Sequence, residues 1–157
     1  MKILANLAKI SSVAKTCCFC VDGTNVVRGA FGYGGPQFRD QEEADSLRLV
    51  QALAGTSSLF EGRVELEVFF DGGRRPWPAS ALPANIRVRF TDESQADDLI
   101  LDLVRARRHA NGGKVTVVTA DGELGGKVSE EGARWLRVRP GASLEAVVGA
   151  IEGRLKR

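Results

Sequence analysis

Asp22 closes an apolar run, and the residues after it, Gly23, Thr24 and Asn25, are small and polar. Residues 17–21 read as a buried strand. A carboxylate at the carboxyl end of a central strand lies where open α/β sheets place their ligands. Three later segments again set acids beside apolar runs: Asp71, Asp97 with Asp98, and Asp121. Brought to one sheet edge, Asp22, Asp97 and Asp121 would repel and raise one another's pKa. A divalent cation relieves that repulsion. Oxygen ligands without histidine or thiolate favour Mg²⁺ or Mn²⁺ over zinc. An ion held this way suits phosphodiester cleavage, because it can activate a water and offset charge on the leaving oxygen. The plainer reading of any one acid is that it caps a helix or ends a strand. The whole set in this order favours convergence, and the three carboxylates should then lie close enough to share one cation.

Other chemistries fit less well. Cys17, Cys18 and Cys20 sit on one strand, whose neighbours face opposite sides, so they cannot all grip one metal. No CxxC or Cys/His partner set exists elsewhere in the chain, and His109 is the only histidine. Buried free thiols are the better reading, which suits a reducing, cytoplasmic setting. His109 falls at the far end of a helix from the acids, so no Ser/His/Asp or Cys/His nucleophile set is available. The stretch Val21-Asp22-Gly23-Thr24 is similar to the D-x-D-G-T start of haloacid-dehalogenase-like phosphatases, with Asp97-Asp98 as their late acidic pair. That chemistry needs a nucleophilic aspartate two residues before Asp22, where Cys20 stands. A net charge of +2 makes no global polycation. Arginines do cluster, at 74–75, 87 and 89, 105–108, and 137 and 139, either as phosphate contacts or as a solvated face. No run approaches the ~20 apolar residues of a membrane span.

The elements that must position the acids follow from periodicity and punctuation. Ile3, Leu4, Leu7, Ile10 and Ala14 fall at helical spacing, so residues 1–16 read as a short amphipathic leader helix or a frayed end. Residues 17–157 make one domain. Residues 28–36 hold four glycines with Phe31 and Tyr33 and predict a mobile loop beside Asp22. It could fold over a substrate, with Phe31 or Tyr33 stacking on a base beside Arg28, or the aromatics could tuck into the core edge. Residues 40–54 predict a helix with an acidic first turn. Residues 64–70 predict a strand, closed by Asp71. Arg74, Arg75 and Trp77 then offer a backbone-and-base contact or, for the tryptophan, a lid over the core. Residues 86–90 predict a short strand with Arg87 and Arg89 outward. The next helix runs to about His109, capped by Asp92 or Ser94, with Leu99, Ile100, Leu103 and Val104 inward. Asp97 falls on the inward edge of its first turn, and Asp98 about a quarter-turn away. Residues 114–119 predict a buried parallel strand, turning through Asp121 into a helix to about Glu131. A last strand over 134–138 and a helix capped by Ser143 close the chain. Strands alternating with helices predict a parallel sheet covered on both faces.

Three motifs together carry a resemblance. Val21-Asp22-Gly23-Thr24-Asn25-Val26-Val27, Ser94-Gln95-Ala96-Asp97-Asp98-Leu99-Ile100 and Val117-Val118-Thr119-Ala120-Asp121-Gly122-Glu123-Leu124, the last followed by Glu131-Gly132-Ala133, resemble the NYN domain family in its YacP-like branch. The likeness covers roughly residues 17–139. It implies a PIN-like three-layer α/β/α sandwich with a mainly parallel sheet, binding Mg²⁺ or Mn²⁺ and cleaving single-stranded RNA as an endoribonuclease. It implies Asp22 as the first metal-binding acid, Asn25 as the residue positioning it or the scissile phosphate, and Asp97 and Asp121 as the further acids. Asp98 and Asp71 are weaker metal candidates. Many PIN-like domains carry a further acid in a middle helix, for which Glu93 is the nearest stand-in. The other function class is an RNA- or ribosome-binding module that keeps the fold with little catalysis. A homodimer through the leader helix is a further expectation.

Overall fold

The computed structural model describes residues 16–30, 38–75, 77, 82–110 and 114–156. Most of the expected leader helix, and Phe31 and Tyr33, lie outside these residues. The elements run β1 (Cys17–Asp22), α1 (Gly23–Ala30), α2 (Arg39–Leu59), β2 (Val64–Phe70), β3 (Ile86–Phe90), α3 (Ala96–His109), β4 (Val115–Thr119), α4 (Gly122–Glu130), β5 (Arg134–Arg137) and α5 (Leu144–Leu155). The five strands are parallel in the order β3-β2-β1-β4-β5.

Strand β1 is the centre, and its residues from Cys18 to Asp22 are buried. Phe19 and Val21 point to one face, where they pack with Val26 and Val27 of α1, Leu49 and Leu53 of α2, and Ile151 of α5. Cys18 and Cys20 point to the other, under Ile100 and Val104 of α3 and Leu124 and Val128 of α4. This is a three-layer α/β/α sandwich. It places Cys18 and Cys20 on a single face, away from solvent, whereas Cys17, expected to be buried with them, is exposed at the start of β1.

Four details differ from the sequence expectation. Residues 28–30 are not loop: they finish α1, whose Val26, Val27 and Ala30 are almost fully buried. Glycine at 29 lets α1 lie close to β4, since a Cβ there would stand 3.3 Å from the Ala120 Cβ. Helix α2 continues past Ala54 to Leu59 despite the weak helix formers Gly55, Thr56, Ser57 and Ser58. Tertiary bonds override propensity there: Thr56 Oγ1 donates to Glu152 Oε1 at 2.9 Å, and Ser57 Oγ donates to Asn85 Oδ1 at 2.6 Å. The buried face of α3 is Ala96, Ile100, Leu101 and Val104, with Leu99 and Leu103 at its partly covered edges. Finally, neither Asp92 nor Ser94 caps α3. Gln95 takes the cap position without a side-chain bond, and Asp71 Oδ1 accepts from the Ala96 N–H instead.

The chain leaves β1 toward β2 and β3 on one side, then returns through α3 to β4 on the other side of β1. The strand order thus reverses between β1 and β4, and the carboxyl ends of the strands at such a switch point are where these sheets usually bind ligands. Gly23 is needed there, because a Cβ would come within 2.6 Å of the Phe70 ring and 2.8 Å of the Phe69 carbonyl oxygen.

Candidate active site

Asp22 ends β1 at this switch point and is 5% exposed. Its Oδ2 accepts from the Thr119 hydroxyl at 3.0 Å. Thr119 is the last residue of β4 and fully buried. The same hydroxyl lies 3.0 Å from Asn25 Oδ1 and accepts the Asp121 N–H at 3.1 Å. Asn25, one turn into α1, also accepts the Ala120 N–H through Oδ1 at 2.7 Å. One hydroxyl therefore links Asp22, Asn25 and Asp121 across two strands. The Thr119 carbonyl is fixed in turn, accepting the Trp135 indole N–H and the Val138 N–H, both at 3.1 Å. Thr119 and Trp135 are site-supporting residues that the sequence reading passed over. The signal was the placement of a threonine two residues before Asp121 at the end of an apolar strand.

Burial pushes the Asp22 carboxyl up to about 7, the Thr119 hydrogen bond opposes that rise, and the charges of Asp71, Asp121 and Asp97 add to it. All three acids thus act on Asp22 through space. Asp97 and Asp121 are half-buried, whereas Asp98 and Glu93 are exposed. Asp121 also caps α4, its Oδ1 accepting from the Glu123 N–H at 2.9 Å and the Leu124 N–H at 3.4 Å. Asp71 Oδ1 serves α3 in the same way. The acids are gathered at one edge. Yet among the described residues no group of three His, Cys, Asp or Glu side chains forms a ready ligand set for one metal ion. The expected closed cluster is thus opened into an edge, with two of its oxygens bonded to helix starts.

The arginine and tryptophan candidates lie on the α2–β3 side. Arg28 is exposed and pairs with Glu42 at 2.9 Å. Arg74 is exposed. Arg75 is more enclosed: it pairs with Glu43 at 2.8 Å and lies over the rings of Phe70, Trp77 and Phe90. The Trp77 ring meets Phe70 and Phe90 edge-on. Arg75, Trp77 and Phe90, together with Arg74, Leu47 and Asp92, line a pocket of about 510 Å³.

A five-stranded parallel sheet between two helical layers is a PIN-like fold. The chain matches the YacP-like NYN domain over residues 19–154, and it belongs to that family, a family of PIN-like ribonucleases. Its fold is similar to Rae1 (YacP) from Bacillus subtilis, solved in a mutant form, at 25% identity and a TM-score of 0.57, covering 90% of this chain and 80% of that one. A second structure of Rae1 (YacP) from Bacillus subtilis aligns at 24% identity and a TM-score of 0.58, covering 89% and 78% of the two chains. No curated protein matches the chain. Among the described residues, no helix is long and apolar enough to cross a membrane.

Proposed function

We propose that this protein is a Mg²⁺- or Mn²⁺-dependent endoribonuclease acting on single-stranded RNA in the cytoplasm. The observation that carries the reading is the arrival of Asp22, Asp97 and Asp121 at one strand-end edge, near enough for the last two to disfavour the Asp22 charge. A buried carboxyl surrounded by like charges suits a hard cation, and every candidate donor here is oxygen. Asp22, Asp97 and Asp121 would hold the ion, Asp98 standing further out. When bound, such an ion activates water and offsets charge on the leaving oxygen.

The chain's own residues do the positioning. Thr119 holds Asp22 in one rotamer through its hydroxyl. Asn25 uses Oδ1 as an acceptor for Ala120 N–H, which leaves its amide nitrogen as the donor toward a phosphate oxygen. Burial of Asp22 keeps its immediate surroundings dry, which strengthens charge interactions there. Arg28 and Arg74 are exposed where they could meet the RNA backbone.

A second reading, an RNA- or ribosome-binding module with little chemistry, draws on the capping duty of Asp121 and the open acid edge. One experiment separates the two. Purified protein is mixed with single-stranded RNA and Mn²⁺ or Mg²⁺, beside the variants Asp22→Asn and Asp97→Asn. The nuclease reading expects cleavage by the wild type, and variants that bind RNA but do not cut it. A wild type that binds RNA and never cuts it with either metal would rule the nuclease out.

A further inference from the structure

Asp71 lies between the two segments that carry Asp22 and Asp97. It follows β2 directly and is half-buried. Its N–H donates to Thr24 Oγ1 at 2.9 Å, in the first turn of α1 just after Asp22. Its Oδ1 accepts the N–H of Ala96, the first residue of α3, at 3.0 Å. Its carbonyl accepts from Arg75 Nη2 at 3.1 Å, and Arg75 is itself paired to Glu43 of α2. Asp97 is the next residue after Ala96. The first N–H groups of a helix have no acceptor within it. Here Gln95 supplies none from its side chain, so a carboxylate just beyond β2 fixes where α3 begins.

We propose that Asp71 is a positioning residue: it sets Asp97 against Asp22 by tying the first turn of α3 to the first turn of α1. It acts as a hydrogen-bond acceptor, not as a metal ligand. The proposal deepens the nuclease reading and rests on it for its effect on cleavage. The tie itself is a claim about the fold and can be measured without RNA.

Asparagine separates the two roles, because it keeps the acceptor oxygen and loses the charge. Asn and Asp cap helix starts about equally well, while alanine cannot. The full-length chain is compared with Asp71→Asn and Asp71→Ala in two measurements. The first is hydrogen exchange at the Ala96 amide in chelator. The second is cleavage of single-stranded RNA at saturating Mn²⁺, with kcat and KM resolved. In Asp71→Ala the Ala96 amide should exchange about tenfold faster or more, and kcat should fall about tenfold or more, because small misplacements of reacting groups have large effects. KM for RNA should stay within about threefold, since the RNA-facing side chains are untouched. Asp71→Asn should stay within about threefold of wild type in both measurements.

If Asp71→Asn loses cleavage while its Ala96 amide stays protected, Asp71 acts through its charge and the proposal is overturned. It is also overturned if Asp71→Ala keeps both protection and kcat. If Asp71→Ala does not fold, the Asp71→Asn comparison decides alone. If the wild type cuts no RNA, the nuclease reading falls, and the exchange measurement still decides whether Asp71 anchors α3.

Discussion

The Asp22 carboxyl titrates near 7 in the fold and near the model-peptide value of 3.8 when unfolded. Between those pH values the folded chain keeps a proton that the unfolded chain has released. Protons then favour the fold, so stability falls as pH rises from about 4 to about 7 and levels off above. Three units at 1.36 kcal/mol each set the size at about 4 kcal/mol at most. In chelator, the wild type should lose melting temperature between pH 5 and 8, and Asp22→Asn should lose less and melt higher at pH 8. Thermal melts of the two proteins side by side cancel the groups they share. An Asp22→Asn protein that melts below wild type at pH 8 would show that the carboxylate is welcome in its pocket without a cation. Thr119 is the other decisive side chain. Thr119→Val keeps the shape and removes the hydroxyl shared by Asp22, Asn25 and Asp121. Leaving those groups without it should cost about 1–3 kcal/mol. Cleavage should fall about tenfold or more as the acids lose their common anchor. Urea unfolding and initial rates check both, and an unchanged rate would reduce Thr119 to a packing residue.

At the scale of elements, the strands were the most legible part, because they are short apolar runs bounded by Gly, Asp or Pro. Ile86–Phe90 stands where the pattern of Arg87 and Arg89 placed it. Helix ends were less legible, since they are decided by partners far away in the chain. The last turn of α2 is held by Asn85, whose Nδ2 donates to the carbonyls of Ser57 and Val64 at 2.9 and 3.0 Å. No local pattern announces a bond between residues 28 apart. Asn85 lies just before β3, at the opposite sheet edge from Asp22. Asn85→Ala should therefore destabilise the fold by about 2–3 kcal/mol, roughly one per hydrogen bond lost. Its effect on cleavage should be slight at a temperature where the protein is folded. A large drop in kcat for the folded variant would show that the two sheet edges are coupled. The α1 segment was misread for a related reason: the glycines of residues 28–36 argued for loop, and only the nearness of Ala120 explains why one of them sits in a helix.

For the whole molecule, alternation of strand and helix was enough to call for a parallel sheet covered on both faces, and the order of three acid-bearing motifs was enough to suggest the family. Those are local properties: periodicity, punctuation and residue type. The convergence of the acids is not local. It depends on the strand order reversing at β1, which brings the ends of β1 and β4 together although 97 residues separate Asp22 from Thr119. The sequence by itself determined that Asp22, Asp97 and Asp121 would stand at strand ends or helix starts, because apolar runs must be buried and acids must leave them. Only the tertiary structure decided that one buried hydroxyl would join Asp22 to Asn25 and Asp121, and that Asp71 would cap the helix bearing Asp97. Hydrogen bonds across a sheet edge are chosen by distance in space, and chain separation carries almost no information about them.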